Sequence, residues 1–501
     1  MSSRPNDTNS QIRLSAILAI GFTGHRKLPD EERSRRLIRD FLAERKAATP
    51  GIVCGVSSAA AGGDLLFAES CLDLDIPLRV LLPMPRDQFR ADFDEAAWAR
   101  AERVFAAAIS VEVTSDSEPR REGYYECGIE TVQQSGMLVA LWDGQPARGM
   151  GGTAEIVAFA QAMGKPVVCF HSETGEQRIL NQAAMGTLLD DPELDFLNGL
   201  PDAGVTKPET EGEVLARAWF AKLDANANHF APRSRRLASI PVMYTAAAAL
   251  FSGIAISSPR ATTLVGVSAG LGMVAAILPA ILRLDRLRRL WARTRTPAEV
   301  CRSMIALWNM PGAYDLVGPE MMPDLAGVLT SLNFLRMKDA SRRKVSLEQF
   351  RKAYREERLE EQIDYFTRKS KQAEREGRHF RAAAWVSGGL AVLIALWWFG
   401  GQMLSCFAPH PSYARRWIQI AISALFQIAT VAGALFVIRD CNRRQQRYNE
   451  LREWLENWSP QFNALSTWGS VVRVATRVER ALLVELLEWR SLMRHAKLPR
   501  K

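Results

Sequence analysis

Four uncharged apolar stretches limit this chain more than any other feature. Each runs to about 22 residues, which matches the ~30 Å hydrocarbon core of a bilayer at 1.5 Å rise per residue. They are Leu237–Ser258, Ala261–Leu282, Ala382–Leu404 and Trp417–Ile438. A charged group at a span centre costs about 2.5–3.5 kcal/mol on insertion, and none of the four carries one. The other reading is buried core helices of a soluble protein. Four transmembrane helices in two hairpins are therefore expected. Pro259 and Arg260 join the first pair, and a connector with Pro409, Pro411 and two arginines joins the second.

Basic residues give the expected orientation. Arg233, Arg235 and Arg236 precede the first span, and Arg283, Arg286, Arg288 and Arg289 follow the second. Arg375, Arg378 and Arg381 precede the third, and Arg439, Arg443, Arg444 and Arg447 follow the fourth. The hairpin tips hold only Arg260 and Arg415/Arg416. By the positive-inside rule, both termini and the middle segment are expected to face the cytosol of a multi-pass membrane protein. Gly266-x-x-x-Gly270 would permit close helix approach, and Gln419 and Gln427 call for a partner helix or a wet lumen.

The charge balance, 64 Lys+Arg against 55 Asp+Glu for a net +9, places its excess beside these spans. It therefore fits a lipid bilayer as partner and gives no reason to expect direct nucleic-acid binding. The seven cysteines show no CxxC spacing, and the six histidines are dispersed. Neither a metal nor a cofactor is expected, and the thiols should be reduced and buried. The polar start MSSRPNDTNSQIR lacks a signal-peptide core, so the internal helices are expected to direct insertion.

Charge-rich helices surround the spans. From Val345 to about Arg381 one helix is expected to feed the third span. Its apolar positions are Leu347, Phe350, Tyr354 and then Leu359, Ile363, Phe366, with one shift between the triplets. Beyond the fourth span, Leu451, Trp454, Leu455 and Trp458 form a stripe. Ser459-Pro460 reads as a helix start, and a second stripe runs Trp468, Val471, Ala475, Val478, Leu482, Leu486, Trp489. Such stripes pack on a partner helix, in this chain or in a homo-oligomer. Each hairpin is followed by an arginine-rich helix start and a tryptophan-bearing helix, which suggests two copies of one unit over residues 233–343 and 344–501.

Residues 14–175 differ in kind. Short apolar runs Ile17–Ile20, Ile52–Val56, Leu78–Leu82, Met137–Leu141 and Val167–Phe170 alternate with helical segments. That order predicts an α/β, Rossmann-like, doubly wound parallel sheet, followed by a linker with a helical segment over 176–232. Glycine clusters fall at three strand-to-helix turns: Gly21 to Arg26, Ser57 to Asp64, and Gly151-Gly152-Thr153. Glycine lets backbone approach a phosphate, and a helix start supplies free N–H groups and partial positive charge. A nucleotide-like ligand is expected there. Candidate contacts are Gly21, Thr23, Gly24, His25, Arg26, Ser57, Gly62, Gly63, Asp64, Asp143, Gly151, Gly152, Thr153 and Glu155. Each has a plainer alternative: turn chemistry for the glycines, a solvated loop for His25, a helix cap for Asp64. Tyr124 and Tyr125 are weighed as base-stacking or core residues, and Trp142 as structural.

The segments GFTGHR, SSAAAGGD and SGMLVALWDGQPARGMGGTAEIVAFAQAMGKPV resemble the SLOG superfamily, which includes LOG, DprA and YpsA-like Rossmannoid proteins. The resemblance covers about residues 14–171. It implies binding of nucleotides or nucleotide-derived ligands, and in some members cleavage of a nucleoside monophosphate at the N-glycosidic bond. Gly21, Thr23, Gly24 and Arg26 resemble the first family loop, Gly62, Gly63 and Asp64 the second, and Gly151, Gly152, Thr153 and Glu155 the third. LOG hydrolases carry PGGxGTxxE; here the text is GMGGTAE, so the proline is missing and the glutamate comes one residue early relative to the threonine. That turns the carboxylate by about 100° around the helix, which fits binding better than turnover. Ile363 to Met493 resembles the SLATT family, through YFTRKSKQAEREGRHFR, RYNELREWLENW and VERALLVELLEW. SLATT domains are associated with bacterial nucleotide-triggered conflict systems and are proposed to form pores.

Three functions follow as expectations. The first is a nucleotide-gated membrane effector that oligomerises and breaches the membrane in antiviral defence. The second is a membrane-tethered nucleotide N-glycosidase using Glu155 as acid/base. The third is a scaffold holding a partner protein at the membrane.

Overall fold

The computed structural model describes residues 11–115, 120–147, 149–256, 260–281, 284–311, 316, 322–340, 345–403 and 412–495. Pro259, Leu282, Leu404, Cys406, Pro409 and Pro411 lie outside them. Two compact units form, each from separate stretches of chain: Met1–Lys222 with Val300–Val345, and Leu223–Glu299 with Ser346–Lys501.

The first unit holds strands β1 Ile17–Gly24, β2 Ile52–Ser57, β3 Leu78–Leu82, β4 Ser110–Val113, β5 Met137–Trp142, β6 Val167–His171 and β7 Gln177–Leu180. Its helices are α1 Glu31–Ala48, α2 Gly63–Asp73, α3 Arg86–Phe89, α4 Glu95–Ala107, α5 Arg120–Gln133, α6 Thr153–Ala162 and α7 Pro192–Asn198. The sheet order is β4-β3-β2-β1-β5-β6-β7, parallel throughout except for β7. Central strands read as near-continuous apolar runs because both faces are covered. Along β5 the side chains alternate: Met137, Val139 and Leu141 join a core with α1, α2 and α4, while Leu138 and Ala140 join a second core with α5 and α6.

The chain winds outward from β1 to β4, then returns to the other side of β1 at β5. That reversal opens a crevice at the carboxyl ends of β1 and β5.

One expectation needs correction here. Strand β1 does not end at Ile20. Its pairing with β5 continues from Ile20↔Met137 to Gly24↔Leu141, because Phe22 stacks on Phe67 and extends the strand's buried face. The segment 176–232, expected as a linker with a helical segment, also carries a strand. It contributes β7, α7 and the start of α8 (Glu213–Ile256), whose fully buried Lys222 donates to the carbonyls of Ile12 and Asn198 at 2.8 and 2.9 Å.

The second unit takes the rest of α8, then α9 Ala261–Ile281 and the start of α10 Leu284–Ala306. Helix α11, Ala326–Ala340, belongs to the first unit: Ser331 Oγ donates to Ser15 O at 2.8 Å. The second unit resumes with α12 Leu347–Tyr354, a π-helical turn Arg355–Glu360, α13 Glu361–Met403, α14 Ser412–Ile438, α15 Cys441–Asn463 and α16 Trp468–His495. The proposed repeat is thus divided differently in its two copies, since residues 300–345 pack with the sheet.

Three helical segments, Ala261–Leu278, Leu347–Gly400 and Arg416–Asn463, are long and apolar enough to cross a membrane, not four. The first expected span is shorter. Its apolar part is Ser239–Ala255, about 26 Å at 1.5 Å per residue; Tyr244 and Thr245 dilute it, and Ser257 and Ser258 fall outside the described residues. On the longer helices Met273, Trp385, Leu393, Phe399 and Val437 are all at least 65 % exposed, which suits a lipid surroundings far better than water. A Cβ placed on Gly266 or Gly270 would meet no atom of another described helix within 4 Å, so neither glycine serves a close helix approach within this chain's described residues.

The shift between apolar triplets before the third span has a structural cause. Tyr354 and Leu359 are five residues apart, and the π turn brings both to one buried face. Pro460 does not start a helix. Helix α15 runs through it to Asn463, and the next begins after Thr467, whose Oγ1 accepts from Ser470 N at 3.3 Å.

Candidate functional site

A cleft of about 510 Å³ occupies the crevice at the ends of β1 and β5. Its walls come from four places. The end of β1 supplies Thr23, Gly24, His25 and Arg26, and the turn after β2 supplies Ser58 and Asp64. Helix α5 supplies Arg120, Arg121 and Tyr124, and the segment from Trp142 to Thr153 closes the other side. Asp92, in a 3-10 turn after α3, completes the lining.

The loops are fastened by a few polar contacts. Asp64 Oδ2 accepts from Gly24 N–H at 3.2 Å, and Oδ1 accepts from the Ser58 hydroxyl at 3.0 Å. It neither caps its own helix nor stands free; it ties the first loop to the second. Burial pushes its pKa up from 3.8 to about 7, against the pull of Ser58, Gly24 and the Arg26 charge. His25 Nε2 lies 3.1 Å from both the backbone N and Oδ1 of Asp143, joining the first loop to the end of β5. Trp142 Nε1 donates to Gln145 O at 2.8 Å and holds the following turn.

Arg26 lies over the ring of Tyr124, 4.6 Å from its centroid, and 3.6 Å from Asp92 Oδ2. Arg120 reaches the same oxygen at 2.8 Å, and the Tyr124 hydroxyl donates to it. Burial, with the bond to Asp92, holds that phenol well above its ordinary range. Cys127 also lines the cleft, but burial pushes its thiol up to about 12, so it is no nucleophile at neutral pH.

The expected ligand residues divide into two groups. Thr23, Gly24, His25, Arg26, Asp64, Asp143, Gly151, Gly152 and Thr153 line the cleft. Gly21, Ser57, Gly62, Gly63 and Glu155 do not. Gly21 sits inside β1, and buried Ser57 ends β2, bonding Ala59 N and Asp64 O. Gly62 has φ +100°, and a Cβ there would stand 2.4 Å from Arg26 O, so the glycine permits loop-to-loop packing. The Gly63 N–H is spent on His25 O at 3.0 Å. Gly151, at φ +80°, lets the third loop approach the backbone of Tyr125. Glu155 folds back, its Oε2 accepting from Gly151 N at 2.7 Å, which stabilises the turn instead of pointing into the cleft.

Sequence reasoning missed Asp92, Arg120 and Arg121. The signal for the arginines is their place at a helix start, where the dipole favours acidic residues. Among the described residues no group of three or more His, Cys, Asp or Glu side chains is arranged to hold a metal. The six described cysteines are unpaired and buried.

The cleft presents both cationic and anionic side chains, Arg26, Arg120 and Arg121 beside Asp64, Asp92 and Asp143. It offers guanidinium groups, hydroxyls from Thr23 and Thr153, and the start of α6, where the Glu155 N–H is already taken by Gly152 O and the N–H groups ahead of it lie at the helix N-terminus. No protein-family model matches this chain, and no curated protein matches it.

Proposed function

We propose that this chain is a nucleotide-responsive membrane effector, in which a phosphate-bearing ligand occupies the cleft and alters the membrane helices. The observation that carries the reading is the cleft itself. A crevice of about 510 Å³, within the size range of small-molecule sites, gathers Arg26, Arg120, Arg121 and the start of α6 at the switch point of a doubly wound sheet. The same chain carries three helices apolar enough to cross a bilayer. The resemblances to SLOG and SLATT support the same reading and suggest a homo-oligomer acting in bacterial antiviral defence. The basic flanks support cytosolic termini at an inner membrane.

Ligand can act on the helices only through a difference in affinity between two states. The test is to purify the full chain, identify co-purifying small molecules by mass spectrometry, and reconstitute it in vesicles carrying a potential-sensitive dye. A nucleotide that binds should collapse the potential. Silence across a broad nucleotide panel, in binding and in potential, refutes the reading. Glycosidase chemistry gains no support from the commitment of Glu155 to Gly151 N–H.

A further inference from the structure

We propose that Asp92 is a built-in occupant of the anion subsite, whose carboxylate holds Arg26, Arg120 and Tyr124 until a phosphate-type dianion takes its place. The inference rests on the reading of the cleft as a ligand site and names the chemistry of one part of it.

Three groups from two elements, Arg26 after β1 and Arg120 with Tyr124 on α5, converge on a single oxygen. Arg120 lies 2.8 Å from Asp92 Oδ2, Arg26 lies 3.6 Å from it, and the Tyr124 hydroxyl donates to it. The Arg26 guanidinium is further oriented by the Tyr124 ring. Two guanidiniums and a hydroxyl aimed at one point form a receptor for an oxyanion, since phosphate offers several oxygens to forked donors. Asp92 supplies one negative charge against two positive ones, and Arg121 stands on the same cleft wall. A dianion neutralises both arginines where the carboxylate neutralises one.

The contact is poorly suited to a purely structural role. Arg26 and Arg120 are 51 % and 40 % exposed, and ion pairs of that kind contribute little to stability. Asp92 ends a three-residue 3-10 turn, so its short side chain can swing away without disturbing a long helix. A ligand competing with it binds with an affinity reduced by the fraction of molecules in which the carboxylate has left.

The experiment uses the full chain in detergent, titrated calorimetrically with inorganic pyrophosphate. Asp92→Asn should bind at least about ten-fold more tightly than the wild type, and adding Arg120→Gln should remove the gain. Asp92→Ser, which also lacks the charge, should reproduce the gain should the amide disturb the turn, with melting curves confirming that each variant is folded. Unchanged or weaker binding in folded Asp92 variants overturns the proposal. So does a failure of every form to bind pyrophosphate. If nucleotides still bind under that outcome, the sensor reading survives and only the role of Asp92 falls.

Discussion

A carboxyl group with a pKa near 7 makes the first unit's stability depend on pH with a definite sign. The native state holds the Asp64 proton more tightly than the unfolded chain does, at about 7 against 3.8. Its contribution to stability is therefore complete below the lower value and is lost as pH rises through the upper one. Calorimetric melting of the full chain should show a transition temperature that falls between about pH 4 and pH 7, and Asp64→Asn should flatten that decline. A decline as steep in the variant would assign it to other groups. Gly62 offers a second residue-scale test, with Gly144 as its control. Gly144 has φ +75° and open space around it, so Gly144→Ala should cost only the left-handed strain, about 1–2 kcal/mol. Gly62→Ala adds a clash with backbone at 2.4 Å and should cost clearly more, as read from denaturant midpoints. Legibility at this scale was uneven. Thr23, His25, Arg26 and Asp143 were readable because strand ends face the crevice in any doubly wound sheet. Asp92 was not, because its partners lie tens of residues away and nothing in Arg-Ala-Asp distinguishes it locally.

At the scale of elements, the π turn at Arg355–Glu360 couples sequence spacing to a buried ionic contact. Arg358, 5 % exposed, donates to both carboxylate oxygens of fully buried Glu479 on α16, at 2.9 and 2.6 Å. The Tyr354 hydroxyl adds a bond to Glu479 Oε1 at 2.9 Å. In the stripe Val471, Ala475, Val478 on α16, Glu479 is the one charged neighbour that burial admits, and the π turn positions its partner. Removing Glu479 takes away the main counter-charge of buried Arg358, on which the Glu299 charge also acts, so Glu479→Leu should destabilise the chain by about 3 kcal/mol, whereas Arg358→Met with Glu479→Leu should recover most of the loss. Denaturation of the single and double variants measures the coupling, and additive losses would show that the two side chains act independently. Elements were largely legible where apolar runs were long. The five interior strands were readable; β4 and β7 were not, because edge strands with half-exposed polar residues lack that signal.

For the molecule as a whole, the main departure from expectation is the division of the chain. Sequence reading placed a boundary after the sheet and put the first hairpin with its cytosolic helices in one segment, 233–343, whereas Val300–Val345 falls in the same compact unit as the sheet. Periodicity along one segment reports that a face is apolar, and says nothing of which distant segment covers it. Cys301 Sγ lies 3.6 Å from Ala216 O, and Met304, Leu307 and Trp308 are buried nearby in sequence. A fragment ending at Lys222 therefore lacks part of its own core and should be less stable than one in which a short linker replaces residues 223–299. Comparing the two by thermal melting tests this; equal stability would mean that α11 is dispensable.

The split first unit also has a consequence in time. Ribosomes deliver the chain from one end, so β1 emerges more than three hundred residues before the Ser331 that bonds its neighbour Ser15. At about 5–20 residues per second, the stretch between Lys222 and α11 delays completion by several seconds or more, during which the apolar helices Ser239–Ala255 and Ala261–Leu278 emerge. Nascent chains stalled before Met322 should be cut readily by protease within the sheet, and chains stalled well after Val345 should resist. Maturation of the cleft domain would then come only after the apolar helices Ser239–Ala255 and Ala261–Leu278 have been synthesised.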